Sequence, residues 1–479
     1  MKKLAVNPYL PNYEYVPDGE PRVFGDRLYV YGSHDTFDGD NFCLGDYVGW
    51  SAPVSDLADW RYEGILYSVK QDPDYSPDRD CRLFAPDCQQ GPDGRYYLYY
   101  AITREGSIGV AVCDTPAGTY QYYGHVHYPD GTRLGGKEED VFQYDPAILV
   151  DDDKRVFLYS GFCFNLQKMP FFRGLKENRK GPIAVELEQD MLTIKEKPHF
   201  VIPGALNARG TDFEGHGFFE ASSIRKVGSK YYFIYSSELG HELCYAVSDC
   251  PDRGFRYGGT LISNGDIGWQ GNTSPMNYTG TNHGSIVCVN GDWYVFYHRQ
   301  TNGHPYSRQG CADKITILQD GSIPQVCMTS QGLNGEPLPG RGTYGANIAC
   351  CLMSAQGACD IPARTRLDRL HPRFTQEGSD REENPGQYLS SLCDGAQAGY
   401  RSFAFHNNMQ IAVVCRGEAS GKLIISTEMN GKATAEVQMV PSAQWKTLSA
   451  PCSLPDGVYD LWIRYQGDGA VDIRSFTLS

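Results

Sequence analysis

The chain has 479 residues, of which 41% are hydrophobic and 13% aromatic, so it is long enough to fold as two or three globular domains with large cores. Its 43 Lys and Arg against 58 Asp and Glu give a net charge of −15, and no Lys/Arg-rich run could neutralise a phosphate backbone. Nucleic acid and anionic membranes are therefore poor partners, and no apolar stretch reaches the roughly 18 residues that cross a bilayer.

Short strands joined by tight turns are the main structural expectation. The chain contains 33 Tyr, 53 Gly and 28 Pro, and aromatic side chains suit a pleated sheet while Gly and Pro favour turns. We find no long amphipathic helix in the sequence. An all-β fold is predicted.

One pattern recurs along the first two thirds of the chain: a Gly/Asp turn followed by an alternating aromatic and aliphatic run. Its instances lie roughly 60 to 75 residues apart, and they read "FGDRLYVYGSH", "GPDGRYYLYYA", "DDDKRVFLYSG", "VGSKYYFIYSS" and "NGDWYVFYHR". A unit of this length holds four short strands, so residues 1–325 are predicted to form a five-bladed β-propeller. A sandwich or a stack of similar hairpins is the alternative.

The composition of the sequence changes after the fifth repeat unit. "GLNGEPLPGRGTYGANIACC" is rich in Gly and Pro and is typical of a boundary. Alternating strands such as "MQIAVVCRG" and "GVYDLWIRYQG" follow it. Residues 326–479 are therefore predicted to be a linker and a β-sandwich.

Three acids stand in stiff or apolar surroundings ahead of an aromatic run. Asp18 lies between Pro17 and Gly19, Asp145 precedes a proline in "VFQYDPAILV", and Glu220 follows two phenylalanines in "GHGFFEASSIRKV". Each has an ordinary structural explanation, a turn or an ion pair. One acid at an equivalent place in each of three units favours a shared site on the propeller axis.

Their surroundings suggest distinct roles. Desolvation beside Phe218 and Phe219 would keep Glu220 protonated, as a general acid needs. A better solvated Asp18 would stay ionised and could activate a water as general base. Asp145 would orient the acid and raise its proton affinity by like-charge repulsion. The Pro that follows Asp145 predicts an extended backbone there.

These motifs resemble glycoside hydrolase family 43 over roughly residues 5 to 330. "VPDGEP", "YDPAIL" and "FFEASS" are similar, in order, to the segments that carry the family's base Asp, its second Asp and its acid Glu. The resemblance implies a five-bladed propeller that cleaves xylosides and arabinofuranosides with inversion. It also implies Asp18, Asp145 and Glu220 as the catalytic set.

Other segments extend the resemblance to substrate contacts. "LFAPDC" is similar to a family segment in which Phe84 replaces the usual Trp and Asp87 lies at the pocket rim. "YHRQ" places Arg299 where an arginine reaches the substrate or the second Asp. His283 in "NHGSIV" matches an axial histidine that in several members ligates calcium through water. A structural calcium ion near His283 is therefore an expectation, and no cofactor is required for the chemistry.

The departures from the family pattern leave choices open. The usual "PDP" around the base is "PDG" here, which makes Glu20 a rival to Asp18. Further candidates for sugar contacts lie in "GSHDTFDGDNF" or are tryptophans that could stack on a sugar ring; they are His34, Asp35, Phe37, Trp50 and Trp269.

The tail resembles a family 6 carbohydrate-binding module, mainly through "SAQWKTLSAP" and "GVYDLWIRYQGDGAVDIRSFTL". No exposed aromatic pair stands out in it. Trp445 and Trp462 are therefore read as core residues, and a role in buttressing the propeller is preferred over sugar binding.

The expected function is exo-acting, inverting hydrolysis that releases a terminal arabinofuranose or xylose from oligosaccharides derived from plant cell walls. Inversion predicts carboxyl groups ~6.5–9.5 Å apart, with a water between base and sugar. The alternatives are a propeller glycosidase for a galactoside or fructoside, and a carbohydrate-binding propeller without catalysis. The sequence does not decide between arabinofuranoside and xyloside, and it leaves the oligomeric state open.

A cytoplasmic location is expected. "MKKLAVNPYL" reaches Asn and Pro after three apolar residues, so it lacks the apolar core of a secretory signal. The 16 cysteines are scattered without zinc-type spacing, and buried thiols in a reducing compartment explain them most simply. A small oligosaccharide is the expected partner.

Overall fold

The computed structural model of the chain describes residues 3–164, 174–382, 385–407 and 409–479. Across these ranges the protein consists of β-strands and loops, with one short α-helix, Ala205–Ala208. Single 3-10 turns occur at Val69–Gln71, Trp269–Gly271, Gly332–Asn334 and Ala346–Ile348. The predicted all-β class is confirmed. None of the described helices has the length and apolar character to cross a lipid bilayer.

Five antiparallel sheets follow one another along the described part of residues 20–315, and in each sheet the strands pair in chain order. The first holds β1 Glu20–Phe24, β2 Arg27–Tyr31, β3 Tyr47–Pro53 and β4 Arg61–Tyr67. The second holds β5 Leu83–Gln90, β6 Tyr96–Ile102, β7 Ile108–Cys113 and β8 Gln121–His125. The third holds β9 Ala147–Val150, β10 Val156–Ser160, β11 Ile183–Leu187 and β12 His199–Phe200. The fourth holds β13 Phe218–Val227, β14 Lys230–Ser237, β15 Glu242–Ser248 and β16 Arg256–Ser263, and the fifth β17 Ile286–Val289, β18 Asp292–Thr301 and β19 His304–Ile315.

Each repeated aromatic run forms the second strand of its sheet: β2, β6, β10, β14 and β18. The second sheet shows why both faces of such a strand are apolar. Leu98 and Tyr100 of β6 pack against the first sheet, while Tyr97 and Tyr99 pack towards Leu158 in the third. Side chains alternate between the two faces of a strand, so a sheet stacked between two others needs large side chains at every position.

The first strands of the sheets lie beside one another. β1 contacts β5, β5 contacts β9, β9 contacts β13, and β1 also contacts β17 of the fifth sheet. A parallel bridge joins Gly19 to Gly284 where the first and fifth sheets meet. Any side chain at Gly284 would place a Cβ 1.9 Å from the carbonyl oxygen of Phe296, so only glycine permits this approach. Residues at the starts of these strands therefore converge.

Two further sheets are formed after residue 335 in the described chain, and they share one hydrophobic core. One contains β20 Leu338–Pro339, β22 Cys351–Met353, β25 Gln397–Phe405, β27 Ser420–Ser426, β28 Ala435–Gln438 and β30 Gly457–Asp468. The other contains β21 Gly342–Gly345, β23 Arg373–Glu377, β24 Gly386–Leu392, β26 Gln410–Gly417, β29 Ser442–Pro451 and β31 Val471–Leu478. The predicted boundary at 325/326 falls between β19 and β20.

The C-terminal sheets are joined to the N-terminal segment that leads to Asp18. Tyr15 donates a hydrogen bond to Gln376 Oε1 at 2.6 Å, and Arg381 pairs with Glu14 at 2.7 Å. Trp462 is buried in a core that also contains Tyr232 of the fourth sheet, which fits the expected core role of this tryptophan. Trp445 lies half-buried between the guanidinium groups of two arginines. The C-terminal part thus packs directly against the segment before β1 and against the fourth sheet.

Candidate active site

A cavity of about 290 Å³ opens where the beginnings of the first strands converge. This is the small end of the range for ligand pockets and suits one terminal sugar better than a long chain. Its polar wall consists of Asp18, Asp145, Glu220, His283 and Arg308, and its aromatic wall of Phe84, Phe142, Tyr144, Phe162 and Phe219. The remaining wall comes from Asn41, Phe42, Asp80, Arg82, Thr103, Arg104, Thr281, Pro305, Tyr306, Ile361, Ala363 and Arg364.

The three predicted acids come together in this cavity although they are far apart in sequence. Asp18 precedes β1, Asp145 precedes β9, and Glu220 lies at the start of β13. Asp18 and Asp145 have φ angles of 56° and 45°, in the left-handed region. Such backbone costs about 1–3 kcal/mol per residue and concentrates at functional sites.

The expected extended backbone at Asp145 is wrong. Its Oδ2 accepts a hydrogen bond from the backbone N–H of Ala221 at 3.0 Å, and Ala221 is itself left-handed, with a φ of 68°. This contact ties the turn before β9 to the start of β13. The preference imposed by the following proline is overridden by the turn that aims the carboxylate at the cavity.

Asp18 is held in its ionised form. Its Oδ1 lies 2.9 Å from Arg308 Nη1 and 3.2 Å from His298 Nδ1. Burial alone would raise the pKa of Asp18, but Arg308 and His298 outweigh it and hold the pKa well below its usual range. Asp35 fixes Arg308 from behind through contacts of 2.9 Å to Nε and 3.1 Å to Nη2.

Glu220 is in the opposite state. It shares the cavity with the aromatic wall, in which the rings of Phe162 and Phe219 lie 5.4 Å apart. Burial and the negative charge of Asp18 raise the pKa of Glu220 to about 8, against the opposing effect of Arg308. The carboxyl group therefore keeps its proton at neutral pH. Two acids whose pKa values are pushed apart in one cavity are the signature of an acid and base pair.

Asp145 and His283 complete the polar wall in forms that carry little charge. Burial, then the charges of Glu220 and Asp18, raise the pKa of Asp145 well above its usual range. Burial lowers the pKa of His283 to about 4 despite nearby Asp18, so its ring is neutral at neutral pH. His283 Nδ1 lies 3.8 Å from Asp145 Oδ2.

Glu20, the rival base, lies outside the cavity wall. It is buried in β1, where its Oε2 pairs with Arg225 Nη2 at 2.5 Å and accepts from the Ser223 hydroxyl at 3.2 Å. Burial raises the pKa of Glu20 to about 7, with Arg225 opposing. Its position favours Asp18 as the base.

Among the predicted substrate contacts, Phe84 and His283 line the cavity. Asp87, expected at the rim, is instead fully buried, so that expectation is wrong. It pairs with Arg22 through contacts of 3.0 and 2.5 Å and accepts a hydrogen bond from the backbone N–H of Ile148 at 2.9 Å. These bonds tie β5 to β1 and β9, so the carboxylate serves the packing of the sheets.

Arg299 also lies elsewhere than predicted. Its buried guanidinium donates to the carbonyl groups of Asn347 at 2.8 Å and Ala349 at 3.2 Å, and it stacks 3.8 Å over the ring of Phe374. It therefore joins the fifth sheet to the C-terminal sheets. The residue that reaches an active-site carboxylate is Arg308.

The other five predicted contacts are not among the residues of the cavity wall. Asp35 does not line the cavity, but it pairs with Arg308, which does. His34 pairs with Glu14 at 3.1 Å, and the buried indole of Trp50 donates to the same carboxylate at 2.7 Å. Phe37 packs on the ring of Tyr15 at 5.7 Å.

Trp269 is the last of these five. Its half-buried ring lies under the Arg401 guanidinium at 5.0 Å, in contact with the C-terminal sheets.

Sequence reasoning missed Arg308 and the wall beyond residue 360. Arg308 stands in "HPYSRQGCADKI", the almost wholly buried strand β19. A lone arginine in such a strand indicates a buried acid partner, and that signal is present in the sequence. Ile361, Ala363 and Arg364 carry no comparable signal, because only the packing of the C-terminal part brings them to the cavity.

Comparison with known proteins decides the family. The profile of glycosyl hydrolases family 43 matches residues 22–323. A xylosidase/arabinosidase of Thermoclostridium stercorarium is 49% identical over 483 aligned residues, which cover 100% of this chain and 99% of that protein. The chain belongs to glycoside hydrolase family 43.

Solved structures agree with this family 43 assignment. A β-xylosidase/α-arabinofuranosidase of family 43 from a compost microbial metagenome, solved with xylotriose in a calcium-free form, has a TM-score of 0.52 and 26% identity. That comparison covers 68% of this chain and 98% of the other. An arabinoxylan arabinofuranohydrolase from Bacillus subtilis has a TM-score of 0.51 at 19% identity, covers 99% of this chain and 97% of the other, and shows the fold alone. The prediction of a family 43 glycoside hydrolase is confirmed.

Proposed function

We propose that this family 43 enzyme releases a terminal pentose, α-L-arabinofuranose or β-D-xylose, from short oligosaccharides derived from plant cell walls. The observation that carries the proposal is the pairing of an ionised Asp18 with a protonated Glu220 in one small cavity. Relatives with the same family fold are named for xylosidase and arabinosidase activity. The small cavity, closed by buried carboxylates at its inner end, favours action at a chain end.

The proposed mechanism is a single displacement. Glu220 gives its proton to the glycosidic oxygen as the bond to the anomeric carbon breaks, and the shortened oligosaccharide leaves as an alcohol. Asp18 takes a proton from a water whose oxygen bonds to the anomeric carbon from the opposite face. The sugar leaves as a hemiacetal with inverted configuration. One water is consumed, and a later proton exchange with solvent restores Glu220 and Asp18.

The neighbouring groups prepare these two acids. Arg308 keeps Asp18 ionised and, held by Asp35, fixes its direction before substrate arrives. Asp145, tied to Ala221 next to Glu220, positions the acid. Neutral His283 lines the wall as a hydrogen-bonding group.

We propose that the five sheets are the blades of a five-bladed propeller and that the two C-terminal sheets form a sandwich similar to a family 6 carbohydrate-binding module. The contacts between successive first strands, and between β1 and β17, support the blades. The burial of Trp462 against Tyr232 supports a buttressing role for the sandwich.

We propose a hydrated calcium ion near His283, and one buried carboxylate oxygen supports it. Glu20 Oε1, buried and without a hydrogen-bond partner among the described residues, lies 4.0 Å from His283 Nε2. Calcium takes about 6–8 oxygen ligands, so this one carboxylate oxygen would hold the ion mainly through its waters. Such an ion would add positive charge at the inner end of the cavity. Removal of calcium by a chelator is expected to lower kcat, with recovery on adding Ca²⁺ but not Mg²⁺.

A reducing compartment, the cytoplasm, is the proposed site of action. All 16 cysteines are free thiols in the structure, and half of them are buried. Disulfides persist mainly in oxidising compartments. Titration of the native and the unfolded enzyme with a thiol reagent, without reductant, is expected to detect 16 thiols only after unfolding. Recovery of fewer thiols on unfolding would contradict the proposal.

The deciding experiment is a screen of p-nitrophenyl β-D-xyloside, α-L-arabinofuranoside, galactosides and glucosides with the native enzyme and with Glu220→Ala. Turnover of a pentoside and its loss in the variant are expected. Azide added to Glu220→Ala is not expected to yield a glycosyl azide of retained configuration. Proton NMR of the product first released by the native enzyme is expected to show inversion. Turnover of galactosides alone would contradict the pentose assignment.

A further inference from the structure

We propose that residues 361–364, which lie in the C-terminal part of the chain, form the leaving-group wall of the active site and set the length of oligosaccharide that the enzyme accepts. The inference rests on the proposed function. Ile361, Ala363 and Arg364 line the same cavity as Asp18 and Glu220, although they lie well beyond the residues matched by the family profile, 22–323. The catalytic cavity is thus completed by the C-terminal part of the same chain.

Hydrogen bonds fix the start of this segment to the loop before β17. Ile361 N–H donates to the Thr279 carbonyl at 2.8 Å, and Thr279 N–H donates to the Cys359 carbonyl at 3.2 Å. The Thr279 hydroxyl also donates to Asp360 Oδ1 at 3.1 Å. Thr281, two residues further along that loop, is itself part of the cavity wall. The segment therefore continues the wall as an added parallel strand would.

The end of the segment is fixed to the hairpin formed by β18 and β19 and to the loop after β2. Arg364 N–H donates to the Tyr306 hydroxyl at 2.7 Å, and Leu367 N–H donates to the Gly303 carbonyl at 2.7 Å. Arg366 pairs with Asp38 at 2.7 Å. Anchors on both sides hold residues 361–364 in one position over the cavity, as a binding wall requires.

Burial places Ala363 and Arg364 at the mouth of the cavity. Asp18 and Asp145 are 5% and 3% exposed at the inner end of the cavity, whereas Ala363 and Arg364 are exposed at its outer end. The terminal sugar must reach the inner carboxyl groups. The rest of the oligosaccharide then leaves the cavity past residues 361–364, where Ile361 offers an apolar surface and Arg364 can donate hydrogen bonds to sugar hydroxyls.

Two variants test the wall from opposite directions. Ala363→Trp fills the outlet, and Arg364→Ala removes a hydrogen-bond donor from it. Arg369→Ala is the matched control, because Arg369 is an exposed arginine that follows the segment in the chain and is absent from the cavity wall. The probes are the p-nitrophenyl xyloside and arabinofuranoside against xylotetraose and α-1,5-arabinotetraose, with kcat and KM measured separately.

For Arg364→Ala, KM for the tetrasaccharide is expected to rise at least about tenfold, the effect of one lost hydrogen bond from a charged donor, with little change in kcat. For Ala363→Trp, kcat/KM for the tetrasaccharide is expected to fall at least about tenfold, because overpacking the outlet excludes the second sugar. Both variants should bind free xylose, which occupies only the inner end of the cavity, with an affinity within about threefold of the native value, and Arg369→Ala should match the native enzyme on every probe.

Calorimetric titration with xylose and xylotetraose in a Glu220→Gln background separates this inference from the proposed function. A native enzyme that hydrolyses no pentoside contradicts the proposed function, yet a selective loss of tetraose affinity in the two variants would still support the wall. Unchanged tetrasaccharide kinetics in both variants, or equal losses of xylose and xylotetraose affinity, would overturn the inference.

Discussion

At the scale of single residues, the site depends on placing two similar carboxyl groups in different surroundings. Arg308 and His298 contact Asp18 directly, while Glu220 shares the cavity with an aromatic wall and has its pKa raised by burial and by Asp18. The pKa of Asp18 is held low and that of Glu220 is raised to about 8. One chain thus holds a base and an acid ready at the same neutral pH.

The choice of base gives a direct test. Asp18→Asn is expected to lower kcat by roughly 10²- to 10⁴-fold, because it removes the group that deprotonates the water. Glu20→Gln, the matched carboxyl-to-amide change two residues on, should keep kcat within about tenfold, since Glu20 lies behind the wall and pairs with Arg225. Steady-state kinetics on an aryl pentoside measures both. A larger loss in Glu20→Gln than in Asp18→Asn would reverse the assignment.

The pH dependence follows from the same pKa values. Glu220 must carry a proton, so kcat/KM is expected to fall as pH rises through about 8. Asp18 must be ionised, and its lowered pKa puts the acidic limb below the usual range for aspartate. Arg308→Met removes the main opposing charge, leaves burial to raise the pKa of Asp18, and should shift the acidic limb to higher pH.

Arg308→Lys, which keeps the charge, is the control and should shift the acidic limb less. Circular dichroism at each pH separates titration from unfolding. An acidic limb that stays in place in Arg308→Met would mean that Arg308 does not control the ionisation of the base.

At the scale of structural elements, close approach between first strands brings the acids together. Gly284 lies against the carbonyl of Phe296 and bridges to Gly19, next to Asp18. Gly284→Ala is expected to lower the free energy of unfolding by about 1–3 kcal/mol, because the new methyl group overlaps backbone that cannot yield easily.

Gly25→Asn is a suitable control for Gly284→Ala. Gly25 lies in the turn between β1 and β2 with a φ of 62°, where a Cβ would meet no neighbouring atom within 4 Å, and asparagine tolerates that backbone. Its effect should stay below about 0.5 kcal/mol. Urea unfolding of both variants measures the difference. Equal stability of Gly284→Ala and the native enzyme would contradict the tight approach.

At the scale of the whole molecule, the C-terminal sheets and the five N-terminal sheets form a continuous structure around the site. Arg299 donates from the fifth sheet to carbonyl groups beyond residue 345, and Arg381 holds Glu14 ahead of Asp18. The C-terminal part therefore both supports the segment that carries the base and adds a wall to the cavity.

Arg299→Met tests this structural role. It leaves the carbonyl groups of Asn347 and Ala349 without their donor and should lower the free energy of unfolding by about 1–3 kcal/mol. KM for an aryl pentoside should stay unchanged, because Arg299 does not reach the cavity. Thermal unfolding and steady-state kinetics measure the two effects. A raised KM with unchanged stability would restore the substrate role expected from the sequence.

The amino-acid sequence by itself determined the all-β class, the five aromatic strands and the three acids that meet in the cavity. These are local properties of the sequence. A strand buried on both faces must be apolar at every position, and a carboxyl group next to a proline or to two phenylalanines can be recognised from its sequence neighbours alone. Family resemblance was enough to name the hydrolase. It also favours Asp18 over Glu20 from the sequence alone.

Only the tertiary structure decided which polar residues face the substrate. Asp87 and Arg299 look like substrate ligands in sequence, yet each finds a partner on another sheet and is buried with it. Arg308 and residues 361–364 reach the cavity through strand pairing and the packing of the C-terminal part. A buried charge is stable only beside its partner, and partners distant in the chain are chosen by packing, which no local pattern encodes.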